Sequence, residues 1–189
     1  MQHLIYLHGF LSSPQSEKAQ QTLAFAKKHY PYLNVHTPQL AGNIQQAVKQ
    51  VDTLVRSLPK GNLRFIGSSM GGYLSTYACE KYGGKAVLIN PAVRPFDLLS
   101  GYIGLHINPY TGEKFSIHSG HIACLRSLYC TSLKQASAYK VLLQTGDETL
   151  DYRLAEAKYT GADITVEQGG DHSFIAYENH LASIFSFLR

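Results

Sequence analysis

The chain is poor in charge and in cysteine, and it has no long apolar run. Charged residues make up 16% of its 189 residues and the formal net charge is +4. With hydrophobic residues at 44%, it is not an intrinsically disordered chain, which pairs low hydrophobicity with high net charge. Basic residues form no block longer than Lys27-Lys28, so the basic stripe of a nucleic-acid binder is missing. Three cysteines, Cys79, Cys124 and Cys130, are an odd number with no C-x-x-C. That argues against a secreted disulfide scaffold and for idle thiols in a reducing compartment. No apolar run approaches the ~18 residues a membrane span needs. The start, Met1-Gln2-His3 before Leu4-Ile5-Tyr6-Leu7, lacks the basic and apolar regions of a signal peptide. These absences point to a cytoplasmic protein. The length suits one domain over residues 1–189, able to bury roughly 70% of the unfolded surface without disulfide or metal.

What is present is a rhythm. Six short apolar runs, Leu4–Leu7, Leu33–His36, Leu63–Ile66, Ala86–Ile89, Val141–Leu143 and Ile164–Val166, each end in turn-forming residues. Several are apolar nearly throughout, as strands buried on both faces are. Helical patterns lie between them. Residues 16–29 align Ala19, Leu23 and Ala26; residues 43–57 align Ile44, Ala47, Val48, Val51, Leu54 and Val55 behind an Asn43 cap. Further helices are expected over 70–82, 151–159 and 174–188. Strands alternating with helices predict an α/β fold, a six-stranded parallel sheet with helices on both faces. Residues 92–139 are too many for a simple connection, and predict a partly helical insertion at the carboxyl edge of the sheet, a candidate lid.

The sharpest chemical signal is Gly67-Ser68-Ser69-Met70-Gly71-Gly72. It fits G-x-S-x-G between a strand and a helix, the setting that lifts a serine hydroxyl clear of the sheet and beside free helical N–H groups. A serine needs a general base, and His172 in Gly169-Gly170-Asp171-His172 follows the last strand, where such a base belongs. His180 falls in the expected final helix and reads as a surface residue. The carboxylate that orients the base belongs after the preceding strand. Asp147 is the first candidate there and Asp151 its rival, although Asp151 also suits a helix cap. Oxyanion donors are expected at the N–H groups of Met70 and of Phe10, with Leu11 as the adjacent alternative; His8 is expected to brace their loop. Arg94 would either bind an anionic substrate group or pair with Asp97. Leu11, Arg94 and Tyr102 are the candidate substrate contacts. Apolar residues from Leu98 to Ile122 would either line an acyl pocket or pack the insertion down. His118 and His121 have no carboxylate or cysteine cluster beside them, so no metal is expected. A phosphate loop is excluded because Tyr73 stands where its lysine would be.

These residues resemble an α/β-hydrolase over essentially the whole chain, in a reduced version that lacks the opening antiparallel strands. More narrowly, Ile5–Pro14, Gly67–Tyr73, Ile89–Pro95, Thr145–Glu148 and Gly169–Phe174 are similar, in order, to the small bacterial YqiA-like esterase family. The resemblance implies a serine esterase, with no cofactor, that acts on small-molecule carboxylic esters or acyl thioesters such as acyl-CoA. A peptidase or acyltransferase with the same residues, or a non-catalytic binding module on this fold, stands as the alternative.

Overall fold

The computed structural model describes residues 3–59, 61 and 63–189; Met1 and Gln2 of the N-terminal reading lie outside it, as do Lys60 and Asn62. Eight strands and seven helices follow in the order β1 (His3–Leu7), α1 (Glu17–His29), β2 (Asn34–His36), α2 (Ile44–Ser57), β3 (Leu63–Ser68), α3 (Met70–Tyr82) and β4 (Lys85–Ile89). Then come α4 (Pro95–Leu99), β5 (Gly104–Ile107), β6 (Lys114–Ile117), α5 (Ser119–Ser127), β7 (Tyr139–Gln144), α6 (Tyr152–Lys158), β8 (Asp163–Glu167) and α7 (Leu181–Leu188). Six strands form one parallel sheet in the order β2-β1-β3-β4-β7-β8.

The period of two along each strand divides the core. Leu4 and Tyr6 of β1 face one side, with Ala19 and Ala26 of α1 and Ile184, Phe185 and Leu188 of α7. Ile5 and Leu7 face the other, with Val51 and Val55 of α2, Leu74 and Ala78 of α3 and Ala155 of α6. Central strands are thus buried on both faces, which is why they read as continuous apolar runs. Asn43 caps α2 by accepting from the Gln46 N–H at 3.0 Å. In α1 the buried stripe is Ala19, Thr22 and Ala26. Thr22 takes the inner position expected for Leu23, because its hydroxyl meets the Tyr177 hydroxyl at 2.9 Å.

The insertion carries strand as well as helix: β5 and β6 form an antiparallel hairpin turning at Asn108, whose Oδ1 accepts from the Tyr110 and Thr111 N–H groups. The expected bounds of the last helix are corrected. The final helix begins at Leu181 rather than near residue 174, after a 3-10 turn over Tyr177–His180. Phe174 and Ala176 take φ of 63° and 60°, left-handed values that no α-helix contains. His180 is accordingly not a surface helix residue; its Nε2 contacts Glu167 Oε1 at 2.9 Å.

Two close approaches set the sheet's carboxyl edge. A Cβ built on Gly71 would lie 1.9 Å from the Leu7 carbonyl oxygen, and one on Gly67 would lie 2.3 Å from the Gly71 oxygen. Helix α3 therefore rests on strand backbone with no side chain between. Beside this contact, the buried His8 ring donates from Nδ1 to the Gly9 carbonyl at 2.8 Å and accepts at Nε2 from the Leu40 N–H at 3.0 Å. Burial holds the His8 pKa below its usual value near 6.5, in keeping with an imidazole that must remain an acceptor.

Gly71→Ala places a methyl against backbone that cannot yield. It is expected to cost about 3 kcal/mol or more in urea unfolding, whereas Gly101→Ala, with open space around it, stays within about 0.5 kcal/mol. His8 gives a pH signature. Its folded pKa is depressed, so the unfolded chain binds the extra proton first, and stability is lost as pH falls below the usual histidine range. The urea midpoint is expected to drop between pH 7 and pH 5, and to drop less in His8→Gln. Half-buried His36 and buried His121, also depressed by burial, account for a residual slope.

Candidate active site

Ser69 sits between β3 and α3 with φ 55° and ψ −119°, a strained conformation for a residue with a Cβ. The surrounding backbone holds it there. Its N–H donates to the Ile89 carbonyl at 3.0 Å, and its carbonyl accepts from the N–H groups of Gly72, Tyr73 and Ala92 at 2.9, 3.2 and 3.1 Å. The side chain stands beside the loop that leaves β1; a Cβ on Gly9 would come within 3.3 Å of the Ser69 Cβ.

His172 reaches Ser69 from the loop after β8. Its Nε2 lies 3.0 Å from Ser69 Oγ, and its Nδ1 lies 2.8 and 2.9 Å from the two carboxylate oxygens of Asp147. The Asp147 side chain is only 2% exposed, while that of His172 is 23% exposed. Asp147 Oδ1 also accepts from the Thr149 and Leu150 N–H groups at 2.9 and 2.8 Å, which fixes the carboxylate before it meets the ring. The rival, Asp151, caps α6 by accepting from the Arg153 N–H at 3.0 Å and takes no part in this series.

Two side chains that sequence reasoning missed hold the loops that carry Asp147 and His172 together. Gln144, at the end of β7 and 3% exposed, accepts at Oε1 from the Asp171 and Ile175 N–H groups at 3.2 and 2.9 Å. Its Nε2 donates to the Ile175 carbonyl at 2.9 Å. Asn90, after β4, donates to the Asp171 carbonyl at 2.9 Å and accepts from the Gln144 N–H at 3.0 Å. Asn90 follows an apolar strand directly before Pro91, where an asparagine reads only as a turn former. Nothing in the local pattern reveals its partners.

Ser69 and His172 open onto a cleft of about 620 Å³, walled by the 8–10 loop, the start of α1 and residues 172–178. Phe10 lines this cleft and, with Leu11, Met70 and Leu74, also a small apolar cavity of about 30 Å³. All three expected substrate contacts, Leu11, Arg94 and Tyr102, lie off the cleft. Arg94 pairs with Asp97, Nε to Oδ2, at 2.7 Å, and that partner turns its charge away. Tyr102 packs edge-on against the Phe10 ring at 6.1 Å between centroids. The hairpin is fastened over the same loop, with Phe115 and His106 against Phe10 and Asn108 donating to the Ser12 carbonyl at 3.0 Å. His118 caps α5, its Nδ1 accepting from the Gly120 N–H, and stacks on His121 at 3.9 Å. Among the described residues no group of three or more histidine, cysteine, aspartate or glutamate side chains is placed to hold a metal ion, and no helix is long and apolar enough to cross a membrane.

Several known proteins are similar to this chain. A UPF0227 protein of Shewanella woodyi is 30% identical over 189 residues, spanning 98% of this chain and 99% of that protein. Among solved structures, Est1E from Butyrivibrio proteoclasticus with ferulic acid bound gives a TM-score of 0.71 at 13% identity, covering 99% of this chain and 88% of that one. Alpha/beta hydrolase domain-containing protein 10 from mouse gives 0.69 at 17% identity, covering 97% of this chain and 88% of that one. The fold is the α/β-hydrolase fold, as the sequence motifs led one to expect. The match to the Uncharacterised protein family (UPF0227) runs over residues 3–189 and so takes in Ser69, Asp147 and His172 together; the chain belongs to that family.

Proposed function

We propose that the protein is a serine hydrolase that cleaves carboxylic esters, or acyl thioesters such as acyl-CoA, through an acyl-enzyme on Ser69. The observation that carries this reading is the unbroken series from Ser69 Oγ through the His172 ring to the Asp147 carboxylate, with contacts of 3.0 and 2.8 Å. A serine hydroxyl on a strained strand-to-helix turn, within hydrogen-bond reach of an imidazole whose far nitrogen faces a buried carboxylate, has the arrangement that acyl transfer requires.

In this mechanism Ser69 Oγ attacks the carbonyl carbon while His172 Nε2 takes its proton. Asp147 holds the ring with its Nδ1–H pointing inward and stabilises the imidazolium. The oxyanion is received by the N–H groups of Met70 and Phe10. Among the described residues neither N–H donates to a protein acceptor, and Gly9, which precedes Phe10, lies beside Ser69. His172 then protonates the departing alcohol or thiol, and afterwards activates the water that releases the acid. No step calls for a metal or an organic cofactor. The insertion at residues 92–139 acts as a cover over the 8–13 loop, resting on Phe10.

Turnover of p-nitrophenyl esters by purified protein tests the assignment. Ser69→Ala is expected to lower kcat by several orders of magnitude with the far-UV spectrum unchanged. Asp147→Asn is expected to lose about 10³–10⁴-fold, because an amide holds the wrong tautomer. Asp151→Asn is expected to remain within about twofold, since asparagine caps a helix as well as aspartate does. Full activity in Asp147→Asn would remove the carboxylate from the scheme.

A further inference from the structure

The cleft beside Ser69 is more polar than an acyl pocket requires. Part of its wall is built by Tyr6 of β1, by Ser16, and by Lys18 and Gln21 of α1. Tyr6 is 1% exposed, yet its hydroxyl has no hydrogen-bond partner among the described residues; the buried Gln21 Oε1 likewise has none. The Ser16 hydroxyl stands near enough to Tyr6 to act on its phenol, but not in a geometry that closes a hydrogen bond. Neighbouring groups do find partners: Tyr177 meets Thr22 at 2.9 Å, and Lys18 donates to the Ser173 carbonyl at 2.5 Å. A buried hydroxyl or amide oxygen left unmatched costs about 1–3 kcal/mol, so two of them lining one cleft point to a ligand that matches them.

The two groups are complementary in kind. Burial pushes the Tyr6 phenol well above its usual pKa, so it stays protonated and can donate, while Gln21 Oε1 can only accept. An alcohol, which accepts one hydrogen bond and donates another, satisfies both. The charges on the cleft wall are three carboxylates, Glu17, Glu148 and Glu178, against one ammonium, Lys18. That balance disfavours a polyanionic group such as a phosphorylated carrier. His172 must reach the departing atom, and residues 172–178 line the same cleft as Tyr6 and Gln21, which suits a leaving alcohol placed against these two groups.

We propose that Tyr6 and Gln21 form a subsite for a hydroxyl group on the leaving alcohol, making the preferred substrate an ester of an uncharged polyhydroxy alcohol. The proposal rests on the hydrolase reading above and narrows it from esters and thioesters in general.

The test compares three substrates that share one acyl group, chosen as the p-nitrophenyl ester turned over fastest: the glycerol monoester, the n-propyl ester and the coenzyme A thioester. The glycerol ester is expected to exceed the n-propyl ester in kcat/KM by about tenfold or more, the equivalent of one to two hydrogen bonds. Tyr6→Phe and Gln21→Met are each expected to pull that ratio down by about tenfold. Tyr6→Phe is expected to keep or raise the thermal midpoint, since it removes a hydroxyl that lacks a partner; a purely structural role for Tyr6 would lower the midpoint and leave the ratio alone. Equal rates for the two oxygen esters, a ratio untouched by either variant, or a preference for the thioester would overturn the subsite while leaving the hydrolase reading in place. If wild-type protein hydrolyses none of the p-nitrophenyl esters, the hydrolase reading itself fails and the subsite with it.

Discussion

Ser69 holds a backbone conformation, φ 55° and ψ −119°, that costs a residue with a Cβ about 1–3 kcal/mol. The structure around it exists in a form that keeps it there. Gly67 and Gly71 permit α3 to sit directly on the backbone that leaves β1, with a gap at Gly71 too small for a methyl group. That contact brings the helix start and the 8–10 loop to opposite sides of one hydroxyl. The Ile89 carbonyl and the Ala92 N–H clamp the Ser69 peptide from the β4 side. The strain is thus sustained by hydrogen bonds and packing spread across three strands, and it leaves the side chain projecting where charge would develop on an attacked carbonyl.

The parallel sheet supplies the second requirement, convergence. Every strand of a parallel sheet ends on the same edge, so the loops after β1, β3, β4, β7 and β8 meet there although they are far apart in sequence. Convergence alone does not place His172 within 3.0 Å of Ser69. Gln144 and Asn90 do that work, tying the 171–175 backbone to the ends of β7 and β4. The left-handed turns at Phe174 and Ala176 are the geometric consequence, and they explain why α7 starts late. The same folding back of residues 172–178 encloses the polar cleft between α1 and Ser69, so the segment that carries His172 also walls that cleft.

Much of this was legible in the sequence, and for identifiable reasons. Six strands stood out because strands buried on two faces must be apolar throughout. Helix α3 was recovered from Met70 to Tyr82 because the glycine-flanked serine marks its start. Asp147 stands before Asp151 as a candidate because it lies nearer the strand end and Asp151 suits a helix cap; in the fold Asp151 caps α6 and Asp147 contacts His172. The parts that escaped share a physical cause. The β5–β6 hairpin has four-residue strands whose alternation, as in Lys114–Ile117 with Phe115 and Ile117 turned inward, is too short to separate from a helix segment. Arg94 pairs with Asp97, one of the two alternatives its position offers in the sequence, and Tyr102 packs edge-on to Phe10, a tertiary contact with no local signature. Gln144 and Tyr6 carried no signal, because a polar residue in a buried strand is read against its neighbours' hydrophobicity and not against the tertiary partners that give it purpose.

The central claim is that Ser69 is an activated nucleophile in the folded protein. Its most direct test is reaction of the native protein with a fluorophosphonate, followed by peptide mass mapping. The account predicts a single adduct on Ser69, absent from urea-unfolded protein and from His172→Ala. A folded protein that takes no label, or one labelled at another serine, would contradict it.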